Sequence, residues 1–157
     1  MSNSDTPFQD EDDIIFNFEE VIFDFPNTNI IASWLKAAIS SNNKKLRFLN
    51  FIFCSDNYLH EMNVKYLDHD TLTDVITFSY SDDDDLIEGD VFISIDRVRE
   101  NAKEIDIPFH NELHRVMIHG VLHLLGLNDK TNEDKEYMTS NENKLLSILN
   151  GMILDKN

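Results

Sequence analysis

The chain has 157 residues, enough for one domain with a proper hydrophobic core. Thirty Asp+Glu against thirteen Lys+Arg give a formal net charge of −17, so any chemistry on a polyanion needs a local cationic site. A lone cysteine, Cys54, excludes an intramolecular disulfide, and neither a signal peptide nor a membrane span of roughly 18 apolar residues is present, which points to the cytoplasm.

Residues 1–12 are polar and acidic and read as a flexible tail, leaving 13–157 as the folded domain. Ile14 to Phe25 alternates Ile14, Phe16, Phe18 and then Val21, Phe23, Phe25, which predicts one or two strands. Pro26 breaks the pattern, and Asn27 or Thr28 can cap a helix carrying Ile30, Ile31, Trp34, Leu35, Ala38 and Ile39 on one stripe. Leu46 to Cys54 is the most apolar strand. Asp56 is placed to cap a short helix containing Leu59, Met62 and Asn63.

Thr73 to Tyr80 is β-branched and aromatic and reads as a strand, and Asp82 to Asp85 as a solvated turn. Asp90 to Ile95 returns to close a hairpin. Asp96 then stands where a cap is wanted for a helix to about Ile105, and Pro108 punctuates. Residues 110–125 form a long helix that is nearly all apolar after Val116. Thr131 and Asp134 have the spacing of a capping box for the last helix, whose apolar positions include Tyr137, Met138, Leu145, Leu146, Ile148 and Leu149. The order β, α, β, α, β, β, α, α, α predicts a single α+β domain of about four strands packed with helices.

The polar exceptions in the long helix carry the chemistry. His119 and His123 lie four residues apart, one turn above the other on one face. Gly126 lets the helix stop, and Asp129 follows within reach of the pair. Two buried imidazoles without partners would cost about 1–3 kcal/mol each, whereas a metal ion satisfies both. His119, His123 and Asp129 therefore read as three ligands of a catalytic metal with a fourth position open. Arg115 and Glu112 share that face, and Glu112 can serve either as an acceptor holding an imidazole N–H or as a solvated helix-start residue. The spacing is that of the metzincin proteases, but Gly120 stands where they keep the glutamate base, which argues against ordinary peptide hydrolysis.

His-Gly-Val-Leu-His-Leu-Leu-Gly-Leu-Asn-Asp at 119–129 resembles the signature H-G-x-L-H-L-x-G-Y-D-H of the YbeY-type endoribonucleases, the rRNA maturation factors of bacteria. Tyr66 to Phe78 resembles a second block of that family, Y-R-x-x-D-x-P-T-D-V-L-S-F, and Gly89 to Ser94 a third, G-D-I-x-I-S. The resemblance implies a site helix against a mixed sheet and a Zn²⁺-dependent, cytoplasmic, single-strand endoribonuclease acting in 16S rRNA 3′ end maturation. RNA, and ribosomal proteins or the small ribosomal subunit, are the partners it implies; no membrane is among them.

Three positions depart from the family pattern. Asp129 replaces a histidine and leaves a bound ion one unit less positive; Leu67 replaces an arginine suited to phosphate; Leu72 replaces a proline. His69, Arg97 or Arg115 are the cations available to stand in for that arginine. Asp74 reads as a base or as a turn-forming residue, Ser94 as a strand residue, and Asn128 as a supporting group. Asp74 and Arg115 are the catalytic candidates. A zinc metallopeptidase, or a ribosome-assembly factor with a structural metal and no turnover, are the competing functions.

Overall fold

In the computed structural model the described residues, 13–67 and 73–156, form four strands and five helices. These are β1 (Ile14–Glu19), α1 (Thr28–Ser41), β2 (Lys45–Cys54), α2 (Asp56–Leu67), β3 (Val75–Ser79), β4 (Leu86–Ser94), α3 (Ile95–Glu104), α4 (Phe109–Leu124) and α5 (Asn132–Lys156). The acidic segment 1–12, His69 and Leu72 lie outside the described residues. Among the described residues, no helix is long and apolar enough to cross a membrane.

The strands form one mixed sheet in the order β1-β2-β4-β3, with β1, β2 and β4 parallel and β3 antiparallel to β4. Alternation along β2 divides the core. Leu49, Phe51 and Phe53 are fully buried against Ile31, Trp34 and Leu35 of α1 and Leu113, Met117 and Val121 of α4. Cys54 faces the other way and joins Leu59 of α2, Ile76 and Phe92. Burial pushes the Cys54 thiol up to about 12, so it packs as a small apolar group. The expected α+β domain is thus the one observed, with β3 and β4 as its hairpin.

Four details differ from the sequence reading. The first strand stops at Glu19, because Glu20 turns with φ of 63°. Val21, Phe23 and Phe25 keep their alternation in irregular chain, where Phe23 and Phe25 pack on Phe53 without a partner strand. The caps of α2 and α3 sit one and two residues earlier than expected. Ser55 Oγ accepts from the Tyr58 N–H, and Ser94 Oγ from the Arg97 N–H, so Ser94 ends a strand and starts a helix. Asn27 occupies the cap position of α1, but its side chain accepts from Lys156 Nζ instead. Tyr137 and Ile148 are 64% and 48% exposed, so the packed seam of α5 runs through Met138 and Leu149.

The Thr131–Asp134 box closes in both directions, Thr131 Oγ1 accepting from the Asp134 N–H at 3.0 Å and Asp134 Oδ2 from the Thr131 N–H at 3.3 Å. On α4, His114 is buried and flanked by His110, whose Nε2 donates to the Asp24 carbonyl. Burial, with the His110 charge adding to it, pushes the His114 imidazole down to about 4. The folded protein therefore keeps His114 neutral where the unfolded chain takes up a proton. This contribution to stability is complete above pH ~6.5 and is lost as pH falls toward about 4. Relative to a His114→Leu variant, the parent protein should lose about 2 kcal/mol of unfolding free energy between pH 7 and pH 5. Parallel pH profiles in urea titrations of the two proteins would refute this.

Candidate metal centre

Helix α4 lies against β3 and β4 at a distance that Gly120 makes possible. A Cβ at Gly120 would stand 2.8 Å from Val91 Cγ1 and 3.4 Å from Thr77 Cγ2, so a side chain there must push the Val91 side chain aside or move the helix from the sheet. This close approach brings the histidine face of α4 beside the edge strand β3. The helix then ends in a Schellman turn. Gly126 adopts φ of 103°, its N–H donates to the His123 carbonyl, and the Leu127 N–H donates to the Leu122 carbonyl. The turn carries Asp129 back over the two imidazoles.

Three acceptor atoms converge there. His119 Nε2 and His123 Nε2 are 3.0 Å apart, and Asp129 Oδ2 lies 3.5 and 3.4 Å from them. The partners on the other side of each ring settle the tautomers. The Leu127 carbonyl can only accept, so His123 Nδ1 donates to it at 3.0 Å and Nε2 carries a lone pair. Glu142 of α5, only 3% exposed, accepts from His119 Nδ1 at 2.6 Å and likewise turns the lone pair of that ring to Nε2. That hydrogen bond holds the His119 pKa above its ordinary value, against the opposing effect of burial.

Two lone pairs facing at this distance, with a carboxylate oxygen above them, need a proton or a cation between them. Tetrahedral zinc with bonds of ~2.0–2.1 Å spaces its ligand atoms by about 3.3 Å, close to the observed triangle. His119, His123 and Asp129 are the single group of three or more such side chains, among the described residues, whose ligand atoms meet this way. The residues fit a divalent ion.

A cavity of about 610 Å³ opens beside the triad, walled by Asn63 and Leu67 of α2, Asp74, Val75 and Thr77 near β3, and Asn128. Asp74 lines this cavity just before β3. Its carbonyl accepts from the Ser94 N–H to anchor the start of β3, while its carboxylate borders the cavity and accepts from Asn101 Nδ2 at 3.4 Å. Tyr80 N–H also bonds into β4, so by antiparallel alternation the backbone groups of Val75 and Thr77 point away from β4, toward the cavity. A second cavity of about 370 Å³ borders the other side of His119 and is lined by Asp74, Asn101, Glu112 and Arg115.

Of the cations considered for the missing arginine, His69 lies outside the described residues, and Arg97 and Arg115 are engaged elsewhere. Arg97 Nε donates to both oxygens of Asp56 at 3.2 and 3.1 Å. Arg115 donates through Nε to Glu112 at 3.0 Å and through Nη1 to Glu142 at 3.5 Å. Glu112, 2% exposed, is therefore neither solvated nor bonded to an imidazole; it holds Arg115. The acceptor that holds His119 is Glu142, which the sequence reading overlooked. Its signal was its position between Met138 and Leu149 on the buried seam of α5, where a carboxylate needs a partner.

The comparisons with known proteins agree with the motifs. The family model for Endoribonuclease YbeY matches residues 15–150. A protein named Endoribonuclease YbeY from Amoebophilus asiaticus is 54% identical over 129 residues, covering 82% of this chain and 88% of the relative. One from Flavobacterium psychrophilum is 50% identical over 135 residues, covering 86% and 95%. The solution structure of a Thermotoga maritima protein superposes with a TM-score of 0.63 at 23% identity, covering 90% of this chain and 93% of that one, and so shares the fold.

The packing of Gly120 generates a stability expectation. Gly120→Ala gains about 1 kcal/mol in helix propensity but meets Val91, and overpacking of this kind costs about 1–3 kcal/mol. The variant should melt several degrees below the parent protein in a calorimetric scan. A higher melting temperature would show that α4 can lift off the sheet without cost.

Proposed function

The chain belongs to the YbeY endoribonuclease family, and on that footing we propose that it is a metal-dependent endoribonuclease that cuts single-stranded RNA in rRNA 3′ end maturation. The observation that carries the metal dependence is the convergence of the His119, His123 and Asp129 acceptors on one point. Zinc is the ion we assign, on its match to two imidazoles and a carboxylate. When bound, the ion supplies Lewis acidity toward a phosphoryl oxygen or a water.

The chain's own groups do the rest. The cavity between α2, β3 and the triad receives the backbone of a single strand, and the outward N–H groups of Val75 and Thr77 are donors for its phosphate oxygens. Asp74, on the rim between both cavities, is the proton acceptor we assign. Arg115 acts on the site through Glu142, as a compensating charge and not as a direct phosphate ligand. With a net charge of −17, the protein gains from a basic partner, such as a ribosomal protein, that delivers the RNA in the cytoplasm.

Leu67 favours a second reading. It stands in the cavity wall at the place of the family's arginine, and a leucine offers phosphate nothing. In this reading the protein is a non-catalytic ribosome-assembly factor whose metal is structural. A peptidase is the reading that Gly120 disfavours, since the position of the protease base carries no side chain and abuts Val91.

Metal content decides the site and turnover decides among the readings. Parent protein purified without chelator should hold one equivalent of zinc, and His123→Ala should lose it; a metal-free parent protein loaded with zinc and still failing to retain it would overturn the metal site. The loaded protein should cut single-stranded RNA and leave casein intact, His123→Ala should cut neither, and RNA left intact by the loaded protein would favour the assembly factor. Asp129→His restores one unit of positive charge at the ion and should raise activity on RNA at neutral pH. A variant that binds zinc with no gain in rate would refute that charge argument.

A further inference from the structure

Helix α5 carries a carboxylate in the seam by which it docks. Met138 and Leu149 are buried in the main core with Leu145 packed against it, and Glu142 sits among them at 3% exposure. One of its oxygens accepts from His119 Nδ1 and the other from Arg115 Nη1. Arg115 is itself held by Glu112, 2% exposed. Two nearly inaccessible carboxylates thus share one guanidinium, and the relay is one positive charge short. His119 links this relay to the side where the three acceptors converge.

We propose that Glu142 is a positioning residue of the metal centre, and that through it the docking of the C-terminal helix and cation binding at His119, His123 and Asp129 are coupled. The proposal rests on the metal reading above. Its physical basis has two directions. A carboxylate accepting from Nδ1 fixes the ring orientation and makes Nε2 a better ligand, so docked α5 raises affinity for the ion. An ion on Nε2 makes Nδ1–H a stronger donor and completes the charge of the relay, so the ion holds α5 down. Linkage requires the two effects to be equal in free energy. The chain's single tryptophan reports on the same contact, because Trp34 Nε1 donates to the Leu145 carbonyl at 2.8 Å, nearly one turn beyond Glu142.

The test uses the full chain, with Zn²⁺ affinity measured by competition against a chromophoric chelator and amide exchange of residues 138–149 measured with and without zinc. Glu142→Leu should bind zinc 10–100-fold more weakly than the parent protein. Its metal-free form should lose some stability, because the His119 Nδ1–H is left without its acceptor, while Glu112 still neutralises Arg115. A purely structural role would move stability and spare affinity. Zinc should slow exchange in 138–149 of the parent protein, quench or shift the Trp34 emission, and do neither in the variant. Nitrogen NMR should show His119 as its Nδ1–H tautomer in the parent protein and as a mixture in Glu142→Leu. If that variant fails to fold, Glu142→Gln, which keeps the shape without the charge, should still lose about tenfold in affinity. Parent-like affinity in the folded variant, or parent-like protection of α5 by zinc, overturns the coupling. Failure of the metal reading itself is distinct: the parent protein would then bind no zinc at all.

Discussion

Two imidazole nitrogens 3.0 Å apart, each with its proton committed to the far side of its ring, form the constraint to which the surrounding structure answers. Helical spacing brings them level, but spacing alone leaves each ring free to turn. The Schellman turn fixes His123 by returning the Leu127 carbonyl to its Nδ1, and the same turn delivers Asp129. The last helix fixes His119 from outside α4. A short loop and a distant helix thus aim two neighbouring side chains at one point, and the aim makes them a site for a cation.

The parts of this arrangement that repeat locally were legible in the sequence. The i, i+4 histidines, the glycine that stops the helix and the Thr131–Asp134 box all act within a few residues, so their spacing states their geometry. The hairpin of β3 and β4 followed from alternation and from the order of elements, whereas the strand order depends on crossovers that no local pattern states. Glu142 lies 23 residues from His119, and no local rule links them. Only its intrusion into the apolar seam of α5 marks it. Glu112 and Arg115 were seen to share a face with His119, but whether a carboxylate meets an imidazole or a guanidinium depends on what packs alongside. The shifted caps at Ser55 and Ser94 show a similar ambiguity, because Asp56 and Asp96 are equally good capping residues one and two places later. Those two aspartates are used between helices instead: Asp56 accepts from Ser94 Oγ and Arg97, and Asp96 from the Asp56 N–H.

Charge explains why a cation at the triad would matter more here than a generic nuclease surface. Arg97 and Arg115 are tied to carboxylates, and the cavity wall offers Leu67 where the family keeps a guanidinium. With the whole chain strongly acidic, attraction of a phosphate has to be local and short-ranged. Among the described residues, a cation held by the triad and the backbone donors of the edge strand would meet that requirement.

The contact between Gly120 and Val91 bears on how such a protein can change over time. Glycine and glutamate codons can differ by a single base, so the step from this motif toward the protease pattern is close in the genetic code. It is farther in the folded molecule, because a side chain at that position must first displace buried Val91 or part the helix from the sheet. A route to peptide chemistry would have to begin with small residues in β3 and β4, before the helix could receive a base. The absence of that base is a property of the sheet as much as of the helix.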